Sequence, residues 1–329
     1  GQTTRISVAS GGIQGNNDSG YPSISADGRF VAFRSYASNL VSGDANGTWD
    51  VFVHDRQTGQ IACISVASDG NQGNGYSGSP YAPAISADGR YVAFDSDASN
   101  LVSEDTNGTW DIFVRDRQIG QTTRVSIAFD GAQSNGGSLY ASISADGRYI
   151  AYNSEASNLV ANDTNGYWDL FVHDRQTGQT ARVSVTSAGS QGDGDSFFPS
   201  ISADGQRVAF DSYASDLVGD DTNGMRDVFL HNRQTGQTVR ISVASNGSQG
   251  NGHSWLPSVS GDGRYVAFES EASELVGSDT NGHWDIFVRD RGANNEGRYY
   301  RNTSLLTDIR LSPISLYFYR TRDSDTVEK

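Results

Sequence analysis

One stretch occurs five times along the chain, and this repetition limits the possible folds more than any other feature. The clearest copy runs Ser144-Ala145-Asp146-Gly147-Arg148-Tyr149-Ile150-Ala151-Tyr152 and resumes at Asp163-Thr164-Asn165-Gly166-Tyr167-Trp168-Asp169-Leu170-Phe171-Val172. Its Asp-Gly pair recurs at Asp27, Asp88, Asp146, Asp204 and Asp262, so the spacings are 61, 58, 58 and 58 residues. An Asp-x-Asn-Gly element follows in step, opening at Asp44, Asp105, Asp163, Asp221 and Asp279. A fixed period of this kind marks an architecture in which each unit buries its apolar face against its neighbours.

Each unit carries four strand-like runs. In the second copy they are Pro83–Ser86, Tyr91–Asp95, Asp111–Asp116 and Thr122–Ile127, separated by Asp-Gly and Gly-rich turns. Short runs of β-formers punctuated in this way are strands, and no segment sustains a helical period. Apolar residues fill both parities of Tyr91-Val92-Ala93-Phe94, so this strand is covered on both faces. Four-stranded sheets packed radially meet that demand, which predicts an all-β fold: a five-bladed β-propeller of four-stranded blades over residues 1–291. Gln2–Val8 matches a fourth run, and the last copy has only three. The expectation is that the N-terminal strand completes the last blade and closes the ring, which protects the sheet edges. An open piece of a larger propeller is the alternative. Residues 292–329 leave the repeat. Within them Tyr299–Leu305 is a competing fourth strand and Ser315–Tyr319 an aromatic run.

The repeat resembles that of the TolB-like, or PD40, β-propeller family, a WD40-like repeat. The residues that carry the likeness are Ser-Ala-Asp-Gly-Arg at 86–90, Tyr-Val-Ala-Phe-Asp at 91–95 and the strand Asp111 to Asp116. The likeness covers all five copies and departs from the family in a longer connection between second and third strands. It implies a binding or scaffolding domain, or the propeller part of a larger enzyme.

The charge balance is 24 basic against 39 acidic residues, net −15, and Lys329 is the only lysine. That disfavours nucleic acid and anionic membrane surfaces and suits cation binding. No apolar run approaches a membrane span of ~18 residues. Cys63 is the only cysteine, so no internal disulfide can form. The chain opens on Gly1 with no signal peptide and reads as a processed chain or a fragment. Its Gly, Ser, Asn, Asp and Thr content points to an extracellular or periplasmic bacterial protein.

Propeller geometry places the second-to-third loops and the inter-blade links on one face, and these are the long connections, so the working surface is expected there. Two features converge on it. The first is the Asp-x-Asn-Gly-x-x-Asp loop, with Asp44, Asn46 and Asp50; Asp105, Asn107 and Asp111; Asp163, Asn165 and Asp169; Asp221, Asn223 and Asp227; and Asp279, Asn281 and Asp285. Side-chain oxygens at positions 1, 3 and 7 resemble half of a calcium loop. The Asp at position 12 lies about 16 Å further along a strand, too far to join them. The competing reading is an Asn-Gly turn whose Asp side chains bond local amides.

The second feature is aromatic. Trp49, Trp110, Trp168 and Trp284 hold loop position 6, with Arg226 in the fourth copy. Tyr21, Tyr81, Tyr140, Phe198 and Trp255 stand at the entry to each innermost strand, the last beside His253. These six side chains are the candidate ligand contacts, by stacking on sugars, and the competing reading is that the aromatics fill gaps between blades. His54, His173 and His231 share a position with Arg115 and Arg289, which argues for a structural role. No nucleophile elbow, zinc motif or phosphate loop is present. The expectation is therefore a non-enzymatic propeller that recognises glycan or protein on the long-loop face, with calcium ordering the loops as its one candidate cofactor. The rivals are a polysaccharide hydrolase or lyase served by the divergent fourth blade (Asp220, Asp221, Met225, Arg226) and a structural module of a surface assembly.

Overall fold

A computed structural model describes residues 1–78 and 81–292. It contains nineteen strands in five antiparallel sheets and, among the described residues, no helix. Blade one holds β1 (Ser19–Ile24), β2 (Phe30–Ser35), β3 (Asp50–Asp55) and β4 (Gln60–Cys63). Blade two holds β5 (Ala84–Ile85), β6 (Tyr91–Ser96), β7 (Asp111–Asp116) and β8 (Gln121–Arg124). Blade three holds β9 (Ser138–Ile143), β10 (Tyr149–Ser154), β11 (Asp169–Asp174) and β12 (Gln179–Arg182). Blade four holds β13 (Ser196–Ile201), β14 (Arg207–Ser212), β15 (Asp227–Asn232) and β16 (Gln237–Arg240). Blade five holds β17 (Ser254–Val259), β18 (Tyr265–Ser270) and β19 (Asp285–Asp290). Each sheet runs in chain order from the axis outward.

The two middle strands of a blade are apolar on both faces because each is sandwiched between neighbouring sheets. Ile112 and Val114 of blade two pack on Ile150 and Tyr152 of blade three, and all four are fully buried. Equivalent clusters join blades one to two, three to four and four to five. In four blades a bidentate Arg–Asp pair staples the Asp-Gly turn to the end of the third strand: Arg29–Asp55, Arg90–Asp116, Arg148–Asp174 and Arg264–Asp290. The fourth blade carries Gln206 and Asn232 at these two positions.

A backbone hydrogen-bond chain links the Asp-Gly turns of successive blades. Ala26 N–H donates to Ala87 O, Ala87 to Ala145, Ala145 to Ala203 and Ala203 to Gly261, at 2.9–3.0 Å. In blades two to five the glycine of the turn lies beneath a side chain of the preceding blade. A Cβ on Gly89, Gly147 or Gly205 would fall 2.1–2.2 Å from the ring of Phe30, Tyr91 or Tyr149. Arg117, Arg175 and Arg233 cover the outer faces of these same rings at 4.3–4.4 Å.

The expected ring closure is not what the structure holds. The fifth sheet has three strands among the described residues, and Gln2–Val8 pairs with none of them; Val8 bridges Gln14 instead. No bond from Gly261 N–H to Ala26 O completes the turn-to-turn chain. Gly28 has no ring beneath it, and no apolar cluster of described residues joins blade five to blade one. Residues 6–15 form on blade one the same link that residues 64–73 form on blade two, but the residues before them do not pair with β19 as β4 pairs with β3. Gly15 N–H donates to Ser7 O and Gly73 N–H to Ser65 O, at 3.0 and 2.9 Å. Among the described residues the five blades therefore form an open arc. The Tyr299–Leu305 and Ser315–Tyr319 segments lie outside the described residues.

Candidate functional site

The Asp-x-Asn-Gly loops close on themselves. In blade three, Asn165 Nδ2 donates to Asp169 Oδ2 at 3.0 Å and to the Gly192 carbonyl at 3.0 Å, while its Oδ1 accepts the Tyr167 N–H. Ser184 Oγ donates to Asp169 Oδ1 at 2.5 Å. The two carboxylates are bridged by Arg182, whose Nη1 lies 3.2 Å from Asp163 and 2.8 Å from Asp169. Arg124 does the same between Asp105 and Asp111, and Arg240 between Asp221 and Asp227. These arginines stand on the fourth strand in one register, opposite Phe113, Phe171 and Phe229. Cys63 takes that place in blade one, where Gln72 Nε2 donates to both Asp44 and Asp50 at 2.8 Å. Asn46 Nδ2 also donates to Asp50. In blade five Asn281 Nδ2 donates to Asp285 Oδ2 at 2.9 Å.

This donor set does not fit calcium. A hard cation needs converging oxygens, whereas here guanidinium and amide N–H groups point at the carboxylates. The cation of three of these loops is an arginine already in the chain. Melting curves with a chelator and with millimolar calcium are accordingly expected to coincide; a calcium-dependent rise would overturn the assignment. Burial raises the Asp50 carboxyl to about 6, opposed by its hydrogen bonds, and burial with the Asp227 charge raises Asp221 to about 6.

The candidate ligand contacts fall into two groups. Tyr21, Tyr81, Tyr140 and Phe198 converge on the axis: Tyr81 meets Tyr140 edge-on at 4.4 Å and Phe198 at 5.0 Å, and Tyr21 lies 6.5 Å from Tyr81. Tyr21, Tyr140 and Phe198 sit at bulges in their strands with φ of 52–62°, which turns each ring inward. The equivalent blade-five residue is Leu256, φ 49°. Trp255, at the entry of β17, stands one residue before Leu256 and makes its contacts outside this cluster. It stacks on Trp284 at 4.9 Å and its Nε1 donates to Glu269. His253 Nδ1 accepts the Arg226 N–H, and its ring meets Tyr213 edge-on at 6.2 Å.

Arg226 connects the groups. Its guanidinium lies 5.2–5.5 Å from the rings of Phe197, Phe198, Tyr213 and Trp255, and its Nε donates to Asp211 at 2.6 Å. It occupies the loop position held elsewhere by tryptophan, a wedge between adjacent blades; Trp168 likewise meets Phe197 of the next blade at 6.2 Å. Trp284 is 39% exposed, and among the described residues no blade follows it on that side.

Asp211 is fully buried, and burial raises its carboxyl to about 7 against the pull of Arg226. A folded pKa above the unfolded value means that the folded state binds the proton more tightly. The stabilisation is complete below the unfolded pKa near 3.8 and fades as pH rises through 7. The melting temperature of Asp211→Asn relative to wild type is therefore expected to climb between pH 4 and pH 7. A difference independent of pH would refute the assignment.

Four carboxylates of the fourth blade are committed to arginines: Asp220, Asp221 and Asp227 to Arg240, and Asp211 to Arg226. His173 and His231 are buried, with burial lowering them to about 4, and their Nδ1 atoms meet Thr180 and Thr238 at 3.0 and 2.9 Å.

Sequence reasoning missed a ring on the long-loop face. Tyr36, Asp97, Glu155, Tyr213 and Glu271 each follow the second strand of a blade, and each donates its N–H to the end of the link that leads into the first strand of the same blade, at 2.9–3.1 Å. All five are exposed. The repeat places them in one column, but their differing chemistry hid them.

No family model matches the chain, and no curated protein matches it. Solved structures do. A TolB from Acinetobacter baumannii is 19% identical, with 79% of this chain and 53% of that one covered and a TM-score of 0.47. The β-propeller domain of the Trilobed protease from Pyrococcus furiosus, described as having an open velcro topology, is 11% identical, with 84% and 69% covered and a TM-score of 0.49. An oligogalacturonate lyase in complex with manganese is 12% identical, with 82% and 73% covered and a TM-score of 0.39. The chain spans about half the length of that TolB structure. With the Asp-Gly-Arg turn, its arginine stapled to the third-strand aspartate, and five radially packed antiparallel sheets all in place, the chain has the β-propeller fold, and its repeat resembles that of the TolB-like, PD40 propellers.

Proposed function

We propose that this propeller is a non-enzymatic binding module that takes a basic segment of a protein partner on its long-loop face. The observation behind this reading is the exposed ring of Tyr36, Asp97, Glu155, Tyr213 and Glu271, one residue per blade. Tyrosine faces and carboxylates at neighbouring positions suit arginine and lysine side chains, by cation–π contact and ion pairing. The net charge of −15 draws a basic partner from a distance. The axial aromatics plug the mouth rather than line a cavity, which favours a broad docking face. Near-equivalent blades favour repeated weak contacts over a single centre. An extracellular or periplasmic setting accords with the composition.

A glycan is the second reading, because Tyr213 is 51% and Tyr36 38% exposed beside carboxylates. Peptide and glycan arrays probed side by side separate the two. Retention of Arg- and Lys-rich peptides that weakens at high salt is expected, with Tyr213→Ala and Glu155→Gln each reducing affinity by roughly five- to tenfold. Salt-insensitive retention of neutral sugars would replace the protein partner with a glycan. Turnover of a polysaccharide would overturn both.

A further inference from the structure

The two ends of the arc are complementary. At one end β19 pairs only with β18 among the described residues, and Ile286 and Val288 are 57% and 50% exposed. Their equivalents in blade two, Ile112 and Val114, are fully buried by the next blade. Among the described residues no arginine bridges Asp279 and Asp285, and no serine hydroxyl donates to Asp285. The edge lacks a fourth strand carrying arginine and, two residues later, serine, as in Arg124 and Ser126, Arg182 and Ser184, or Arg240 and Ser242.

The other end supplies that strand. Gly1-Gln2-Thr3-Thr4-Arg5 is identical to Gly120-Gln121-Thr122-Thr123-Arg124, which forms the turn and fourth strand of blade two, and Ser7 follows Arg5 at the required spacing. Residues 1–5 are exposed, and Arg5 bonds only the side chain of Gln14 among the described residues. Gly28 and Arg56 of blade one stand where a preceding blade would place an aromatic ring between them, as Tyr91 stands between Gly147 and Arg175. In blade five the residue at that position is Tyr265. The residues after β19 compete less well. The place eight beyond Asp290 is Arg298, but the place two further on is Tyr300 rather than serine.

We infer that the occupant of the blade-five edge is a second copy of this chain. Residues 1–5 of one copy add to β19 of the next. Arg5 then bridges Asp279 and Asp285, Ser7 bonds Asp285, and Tyr265 seats between Gly28 and Arg56 of the added copy. The junction is head-to-tail, so it propagates along a spiral unless the rotation per copy closes it. Strand addition supplies the backbone bonds, and the Arg–Asp bridge fixes the register. No partner of the long-loop face is needed, so this inference and the proposed function fail independently.

Light scattering of the whole chain over a dilution series tests it. The expected result is a mass that grows with concentration. Arg5→Glu disables the donor end, and Ile286→Lys with Val288→Lys disables the acceptor end. Each variant alone should remain monomeric, and an equimolar mixture should stop at a heterodimer through the one intact pair of ends. A wild-type chain that stays monomeric at every concentration overturns the inference, as does assembly that persists in both variants. Circular dichroism of each variant, matching wild type, excludes unfolding as the cause of lost assembly.

Discussion

Replacing Asp169 by asparagine is expected to lower the melting temperature by roughly 6–20 °C. Asp169 is fully buried and accepts from Ser184, Asn165 and Arg182. The Arg182 side chain is only 9% exposed. Removing one partner of a buried ion pair leaves an uncompensated charge, which costs about 3–5 kcal/mol, and 1 kcal/mol moves the midpoint of a domain of this size by about 2–4 °C. Asp163 retains the guanidinium only in part, at 3.2 Å. The internal control is Asp285→Asn, which no arginine among the described residues meets; there the loss is expected to stay below about 1 kcal/mol. Equal losses at both positions in a thermal melt would show that Arg182 does not set the cost.

The same comparison separates what the sequence made legible from what it did not. The strands were readable because apolar residues at both parities, bounded by Asp-Gly and Gly turns, admit only a sheet buried on both faces. The third strand was placed at its true bounds, Asp111–Asp116. The fourth was drawn too long, because from Val125 the chain already leaves for the next blade. The loop aspartates and asparagines do meet, but the charge that joins them comes from Arg124, Arg182 and Arg240, which lie 19 residues after the first Asp of their loops. Only cross-strand pairing brings them together. Counting positions from the Asp-Gly pair would have found this column, and would have shown Cys63 as its exception. Which entry residue turns inward was not legible for a different reason. Bulges with positive φ turn Tyr21, Tyr140 and Phe198 inward, and a strand pattern of period two cannot reveal which residue bulges.

The opening of the arc is the other property that a substitution reads with a large effect. Gly147→Ala is expected to cost about 2–5 kcal/mol. Part of this is the left-handed backbone, φ 73°, which costs a residue with a Cβ about 1–2 kcal/mol. The rest is overpacking of about 1–3 kcal/mol, because the new methyl would fall 2.2 Å from the Tyr91 ring. That ring cannot retreat, since Arg175 lies 4.3 Å from its centre. Gly28 has the same φ of 73° but no ring beneath it, so Gly28→Ala should lose only the backbone part, about 1–2 kcal/mol. Melts of the two variants in dilute protein measure the difference directly. A gap of about 1–3 kcal/mol marks blade one as the open end of the arc. Equal losses would mean that Tyr265 lies beneath Gly28 within one chain, which would close the ring and remove the free edge on which head-to-tail assembly depends.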